Sequence, residues 1–159
     1  MIEMDTDMRA LFLLMLLMSC ITNAKACYLD TFSEIDTLLT CVKADIQEDI
    51  HAQYSLGVMY RDGLGVTQDD KKAIAWYQKA AEQDDVRAQY ELANLLFNGP
   101  EPDYKEASVW YYMAAALHEH PESQYRLGEI HAEGLGVTKD ATEARKWYLK
   151  AARQGVLAP

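Results

Sequence analysis

One pattern recurs three times along the chain and limits what it can fold into. Ala52-Gln53-Tyr54-Ser55-Leu56-Gly57 returns as Ala88-Gln89-Tyr90-Glu91-Leu92-Ala93 and as Ser123-Gln124-Tyr125-Arg126-Leu127-Gly128. Each copy leads to an aromatic pair followed by alanines: Trp76-Tyr77 with Ala80-Ala81, Trp110-Tyr111 with Ala114-Ala115, and Trp147-Tyr148 with Ala151-Ala152. Self-similarity at a period in the mid-thirties marks a stacked array, in which no unit buries its apolar face alone and neighbours complete a continuous core. At 159 residues, half of them apolar, the chain suits a short array with a sizeable core.

Within a unit the spacing predicts helix A, a loop, then helix B. In the first unit helix A covers about 50–61, with Leu56 and Tyr60 inward and Gly57 allowing close approach of another backbone. Gly63-Leu64-Gly65-Val66 ends it, because glycine readily adopts the left-handed conformation of a helix C-terminus. Asp69 or Asp70 suits the start of helix B. There Ala73, Trp76, Tyr77, Ala80 and Ala81 form one stripe of large and small residues, in which each tryptophan is expected to be core. The third unit follows the same plan. The second departs from it: Gly99 to Trp110 is two positions shorter than Gly63 to Trp76, Pro100 and Pro102 enter the loop, and Ala93 replaces the glycine. A tighter, stiffer loop is expected there.

Ahead of the units, Phe32, Ile35, Leu38, Leu39, Val42 and Ile46 fall at steps of three and four, one face of a helix that would cap the array. Further upstream, Ala10–Met18 is an apolar run too short to cross a bilayer but of signal-peptide length. Ala24-Lys25-Ala26 offers a small-x-small cleavage site, giving a mature chain from Cys27 with no transmembrane span. Glu3, Asp5 and Asp7 are negative where a signal peptide is positive, and a start at Met8-Arg9 would remove that conflict. The alternative processing reading is a lipoprotein acylated at Cys20, since Leu17-Met18-Ser19-Cys20 approximates a lipoprotein box. Cleavage after Ala26 leaves Cys27 and Cys41, an even pair expected to bond in an oxidising compartment, or else to stay as two thiols. The bond would contribute about 3 kcal/mol by the chain-entropy estimate. The expected organisation is therefore 1–26 signal peptide, 27–49 lead-in and cap, 50–87, 88–122 and 123–159 as three repeats with a C-terminal tail.

The pattern Ala-x-Tyr-x-Leu-Gly-x-x-Tyr, Gly-x-Gly-Val, Lys-Ala, Trp-Tyr-x-Lys-Ala-Ala resembles the SEL-one-like repeat, a relative of the tetratricopeptide repeat. The first unit matches nearly throughout, through Lys72-Ala73 and Trp76-Tyr77-Gln78-Lys79-Ala80-Ala81. In the third, His131 replaces the last aromatic of helix A and Glu143 the lysine before Ala144. The resemblance covers about 50–155 and implies an all-α, right-handed solenoid with a scaffold or adaptor role, as in exported bacterial members. It also implies that the inner face of helix A lines a concave groove: His51, Tyr54, Val58, Arg61 and Asp62, then Arg87, Tyr90, Asn94, Phe97 and Asn98, then Glu122, Tyr125, Glu129, Ala132 and Glu133. Tyr54, Tyr90 and Tyr125 would form a ladder, unless they pack between repeats. Arg61 and Arg87 give way to Glu122, Glu129 and Glu133, a gradient that would orient a peptide.

No motif for catalysis, metal or cofactor stands out. Ser-x-x-Lys, Gly-x-Ser-x-Gly, His-Glu-x-x-His and a phosphate-binding loop are all missing from the sequence. His118 and His120, either side of Glu119 and just before Pro121, read as solvated turn residues rather than ligands. A net charge of −10 argues against nucleic acid or an anionic membrane surface as partner. The expected function is non-enzymatic binding of a protein or peptide. The alternatives are a β-lactam-binding or hydrolysing enzyme, as linked to cysteine-rich relatives whose repeats each carry a cysteine pair that is missing here, and a secreted host-interaction factor. At the C-terminal edge Val137, Leu149, Val156 and Leu157 gather beyond the last repeat, and some are expected to stay exposed as a homodimer or docking surface.

Overall fold

The computed structural model describes residues 39–40, 43–45 and 47–156. The signal segment, Met8, Cys20, the Cys27–Cys41 pair, the cap-stripe residues Phe32, Ile35, Leu38, Val42 and Ile46, and Leu157 lie outside these residues. Six helices follow one another: α1 (Ile50–Asp62), α2 (Asp70–Glu82), α3 (Val86–Asn98), α4 (Tyr104–Leu117), α5 (Pro121–Glu133) and α6 (Ala141–Arg153). Each helix packs on the next, so α1–α2, α3–α4 and α5–α6 are three stacked hairpins, an all-α solenoid. Among the described residues no helix is long and apolar enough to cross a membrane.

The helix starts are set by side chains. Asp49, Asp69, Asp85, Asp103 and Asp140 each accept from backbone N–H groups of the first turn, satisfying donors that have no partner within the helix. His120 does the same for α5, with Pro121 as the first helical residue. The ends of α1 and α5 use glycine: Gly63 and Gly134 are left-handed, at φ 70° and 76°, and their N–H groups bond back to Met59 and Ile130. Gly99 takes φ −63° instead, and the two-proline loop delivers Asp103, whose N–H reaches the Leu96 carbonyl at 3.0 Å.

The core alternates large and small residues. Leu56, Leu92 and Leu127 from helices A meet Ala73, Tyr77, Ala80, Ala107, Tyr111, Ala114, Ala144 and Ala151 from helices B, all nearly or fully buried. Trp147 is buried as expected, but Trp76 and Trp110 are only half-buried. The tyrosine after each of these two tryptophans is the deeper residue, because its ring points back against its own helix A. Trp76 lies at the edge, its face covered by the Lys79 ammonium at 4.0 Å.

Gly57 also has a different reason from the one its type suggested. A Cβ there would clash with Tyr77 Cδ1 and Cε1, and one on Gly128 would sit 2.5 Å from Tyr148 Cδ1, so both glycines admit a ring rather than a backbone. Backbone approach occurs instead at Gly136, where a Cβ would meet Lys105 N at 2.5 Å; the loop of the third unit lies against the start of α4.

Glutamine joins one unit to the next. Gln89 donates to the Ala81 carbonyl at 3.3 Å and Gln124 to the Ala115 carbonyl at 3.4 Å, each from a fully buried position. Gln53 donates at 3.2 Å to the carbonyl of Ala44, in the helical residues 43–45. Asp49 N–H then reaches the Lys43 carbonyl as Asp85 N–H reaches that of Ala80, and Glu48 takes positive φ as Asp84 does. Residues 43–45 thus meet α1 as the end of α2 meets α3, and Ala44 shares a buried cluster with Ala52 and Leu56.

Candidate binding face

Helices α1, α3 and α5 present one row of side chains, and the three ladder tyrosines stand in it, each half-buried and each backed by the tyrosine of its own helix B. Ring centres are 5.7 Å apart for Tyr54–Tyr77, 6.0 Å for Tyr90–Tyr111 and 5.4 Å for Tyr125–Tyr148. The backing phenols differ. Tyr111 Oη donates to Asn94 Oδ1 at 2.6 Å, whereas Tyr77 Oη is buried with no hydrogen-bond partner among the described residues. Val58 stands in the first unit where Asn94 stands in the second. Burial pushes both backing phenols well above the ordinary tyrosine range.

Arginine stitches the row together across units. The Arg87 guanidinium lies 4.4 Å from the Tyr54 ring centre, donates to His51 Nδ1 at 3.1 Å and is held by Asp85 at 2.6 Å. Arg61 crosses the other way, to Glu91 at 2.7 Å, while its fork also grips Asp62 at 2.8 and 2.9 Å. Arg126 pairs with Glu129 at 2.8 Å and lies 5.8 Å from the Phe97 ring centre. Such exposed pairs contribute little to stability, but they fix where each charge stands. They bear on the expected gradient: Arg61, Arg87 and Glu129 each have a local counter-charge, whereas Glu122 faces His120 at 3.5 Å and Glu133 has no ion-pair partner among the described residues.

Among the expected residues, Arg87 lies over the Tyr54 ring, and Arg61 pairs with Glu91 nearby. Tyr90, Asn94 and Phe97 gather around Tyr111, with Phe97 also edge-on to Tyr104 at 5.1 Å. Tyr125 and Glu129 sit at the far end. Val58 packs on the first core cluster. Sequence reasoning missed Glu91, Arg126 and His120. Glu91 and Arg126 each follow a ladder tyrosine and lie four and three positions from Arg87 and Glu129, spacings that place side chains side by side. His120 is no solvated turn residue. Its ring stacks on Tyr90 at 4.7 Å, its Nδ1 caps α5 through Ser123, and burial holds its pKa below the ordinary histidine value. His118 does lie on the surface, where it bonds Asp84 at 3.1 Å. The described residues contain no group of three or more His, Cys, Asp or Glu side chains able to hold a metal ion.

The family model described as "Sel1 repeat" matches residues 50–85, 86–118 and 121–156. A chitin synthase regulatory factor 3 of Schizosaccharomyces pombe is 36% identical over 109 residues, 65% of this chain and 12% of that protein. An exopolysaccharide production negative regulator of Rhizobium leguminosarum is 31% identical over 119 residues, 65% of this chain and 45% of that protein. This chain therefore spans less than half the length of either relative. A crystal structure of a Sel1 repeat protein from Oxalobacter formigenes superposes with a TM-score of 0.64 at 37% identity, over 76% of this chain and 91% of that one.

Proposed function

Because the chain belongs to the Sel1 repeat family, we propose that it is a non-enzymatic interaction module that holds a peptide or extended segment of a partner protein along the face of α1, α3 and α5. The observation that carries this is the recurrence of Tyr54, Tyr90 and Tyr125 at one register, each half-exposed and each braced from behind by a second ring. A tyrosine fixed in this way offers a large amphipathic contact surface and loses little freedom on binding. The adjoining arginine–carboxylate pairs supply donors and acceptors for a peptide backbone at positions set before binding. Two relatives bear the names of regulators, which supports a regulatory contact. The reading includes export, with Cys27 bonded to Cys41 in the mature chain, on the strength of the apolar run and Ala24-Lys25-Ala26.

The test is selection of peptides from a displayed library against the mature protein. Selected peptides should lose binding to Tyr90→Ala and keep it to Gln78→Ala, which alters an exposed side chain of α2. Nitrocefin turnover abolished by Tyr90→Ala would contradict the reading and favour the enzymatic alternative.

A further inference from the structure

Among the described residues, no helix covers the outer face of the last hairpin, which forms a slot. The α1–α2 hairpin is covered by α3, and the α3–α4 hairpin by α5. The equivalent surface of α5–α6 is a cavity of about 420 Å³, lined by Tyr125, Ala132, Ala144, Arg145, Tyr148, Leu149 and neighbouring residues. Its apolar wall is partly bare: Ala152 is exposed and Tyr148 half-buried, where the matching Ala81, Ala115, Tyr77 and Tyr111 of the covered hairpins are buried.

The covered slots show what shape fits. Against α2, α3 contributes Ala88 and Leu92 to a fully buried cluster with Ala73, Tyr77, Ala80 and Ala81, and Ile74 and Leu95 border that cluster. α2 and α3 are consecutive and antiparallel, so the early turns of α2, with Ile74, lie beside the late turns of α3, with Leu95. The open slot repeats this wall as Ala144, Tyr148, Ala151 and Ala152, with Leu149 where the covered hairpins carry Gln78 and Tyr112. Where the covered slots carry Ile74 and the buried Ser108, it carries Arg145. Arg145 has no ion-pair partner among the described residues, in a protein of net charge −10.

We infer that this end slot docks an amphipathic helix of a partner protein, with Ala and Leu at the spacing of Ala88 and Leu92 and a carboxylate at the Leu95 position opposite Arg145. A cationic wall residue beside an apolar slot selects for such a counter-charge and against its reverse. A two-fold contact between copies would instead bring together two helices that each carry Arg145, Lys146, Lys150 and Arg153. Tyr125 belongs to both the ladder and the slot wall, but the rest of the slot is separate from the tyrosine face.

The probe is a stapled, fluorescein-labelled peptide of residues 85–99, prepared with Leu95→Glu and with Leu95→Lys and titrated into the full protein by anisotropy. The Glu peptide should bind at least about tenfold tighter than the Lys peptide, a gap of one decade in Kd. Arg145→Glu should reverse that order. Leu149→Lys should weaken both peptides, while Tyr90→Ala should leave both unchanged, which separates this slot from the ladder. Both altered slot residues are exposed, so the variants keep the wild-type circular dichroism. Equal affinity for the two peptides, or no binding of either, would overturn the inference. A concentration-dependent dimer abolished by Leu149→Lys would overturn it in favour of a second copy.

Discussion

The first and second repeats share a backbone plan and differ in how they fill it. In the first, Gly57 leaves room for the Tyr77 ring, Val58 faces it, and the buried hydroxyl has no partner. In the second, Ala93 and Tyr111 are both fully buried, a methyl group is accommodated, and Asn94 satisfies the hydroxyl. The loop between the helices is also shorter, with two prolines. The comparison teaches that the repeated residues set the positions of the helices, while the departures from the repeat decide the polar chemistry of the face. Substitutions at matched positions can break or sharpen it.

The largest effect is expected from the backing ring itself. Tyr77→Ala should cost about 3–5 kcal/mol, the usual loss for a buried aromatic, whereas Trp76→Ala should cost less because that ring is half-buried. Denaturant titrations of the two variants measure the difference, and equal losses would break the assignment of Tyr77 as the deeper residue. Next, Gly57→Ala should cost about 1–3 kcal/mol by overpacking against Tyr77, and Gly128→Ala a similar amount against Tyr148. A thermal melt of Gly57→Ala equal to wild type would show that the first hairpin relaxes as the second does.

A smaller and sharper contrast concerns the hydroxyls. Tyr111→Phe should cost about 1 kcal/mol through loss of the bond to Asn94. Tyr77→Phe should be neutral or stabilising, since it removes a buried hydroxyl with nothing to bond. Val58→Asn should raise stability by supplying the acceptor that Asn94 supplies next door. The smallest expected effect is on pH dependence. Burial lowers the His120 pKa below its unfolded value, so the folded state disfavours protonation there. Its contribution is complete above about pH 6.5 and is lost as the pH falls through that value towards the lower folded pKa. His120→Asn keeps a capping side chain and should flatten the stability profile between about pH 7 and 5, read from melts across that range.

Much of the fold was legible because it depends on local rules. The aspartate cap at Asp69, the glycine stops at Gly63 and Gly134, and the Leu and Ala stripes follow from helix geometry and spacing alone. The link from residues 43–45 to α1 was not legible, because it rests on Gln53 reaching Ala44, and Leu39, expected on the inward stripe of the cap, is exposed. The pairing of Arg61 with Glu91 and the stacking of Arg87 on Tyr54 were hidden for the same reason, since they join different repeats. The role of Gly57 was misjudged because a glycine does not announce whether a backbone or a ring fills the space beside it. Trp76 was expected in the core because it shares a stripe with Tyr77, whereas depth follows the direction in which each residue points.

The central claim is that partners are held by the tyrosine row. Site-specific photo-crosslinking tests it directly, with benzoylphenylalanine placed in the full-length protein at Tyr54, Tyr90 or Tyr125 and, for contrast, at the exposed α2 and α4 positions Gln78 and Tyr112. Crosslinked partner bands should arise from the three ladder positions and be missing from the two controls. Bands confined to Gln78 and Tyr112, with none from the ladder, would contradict the account.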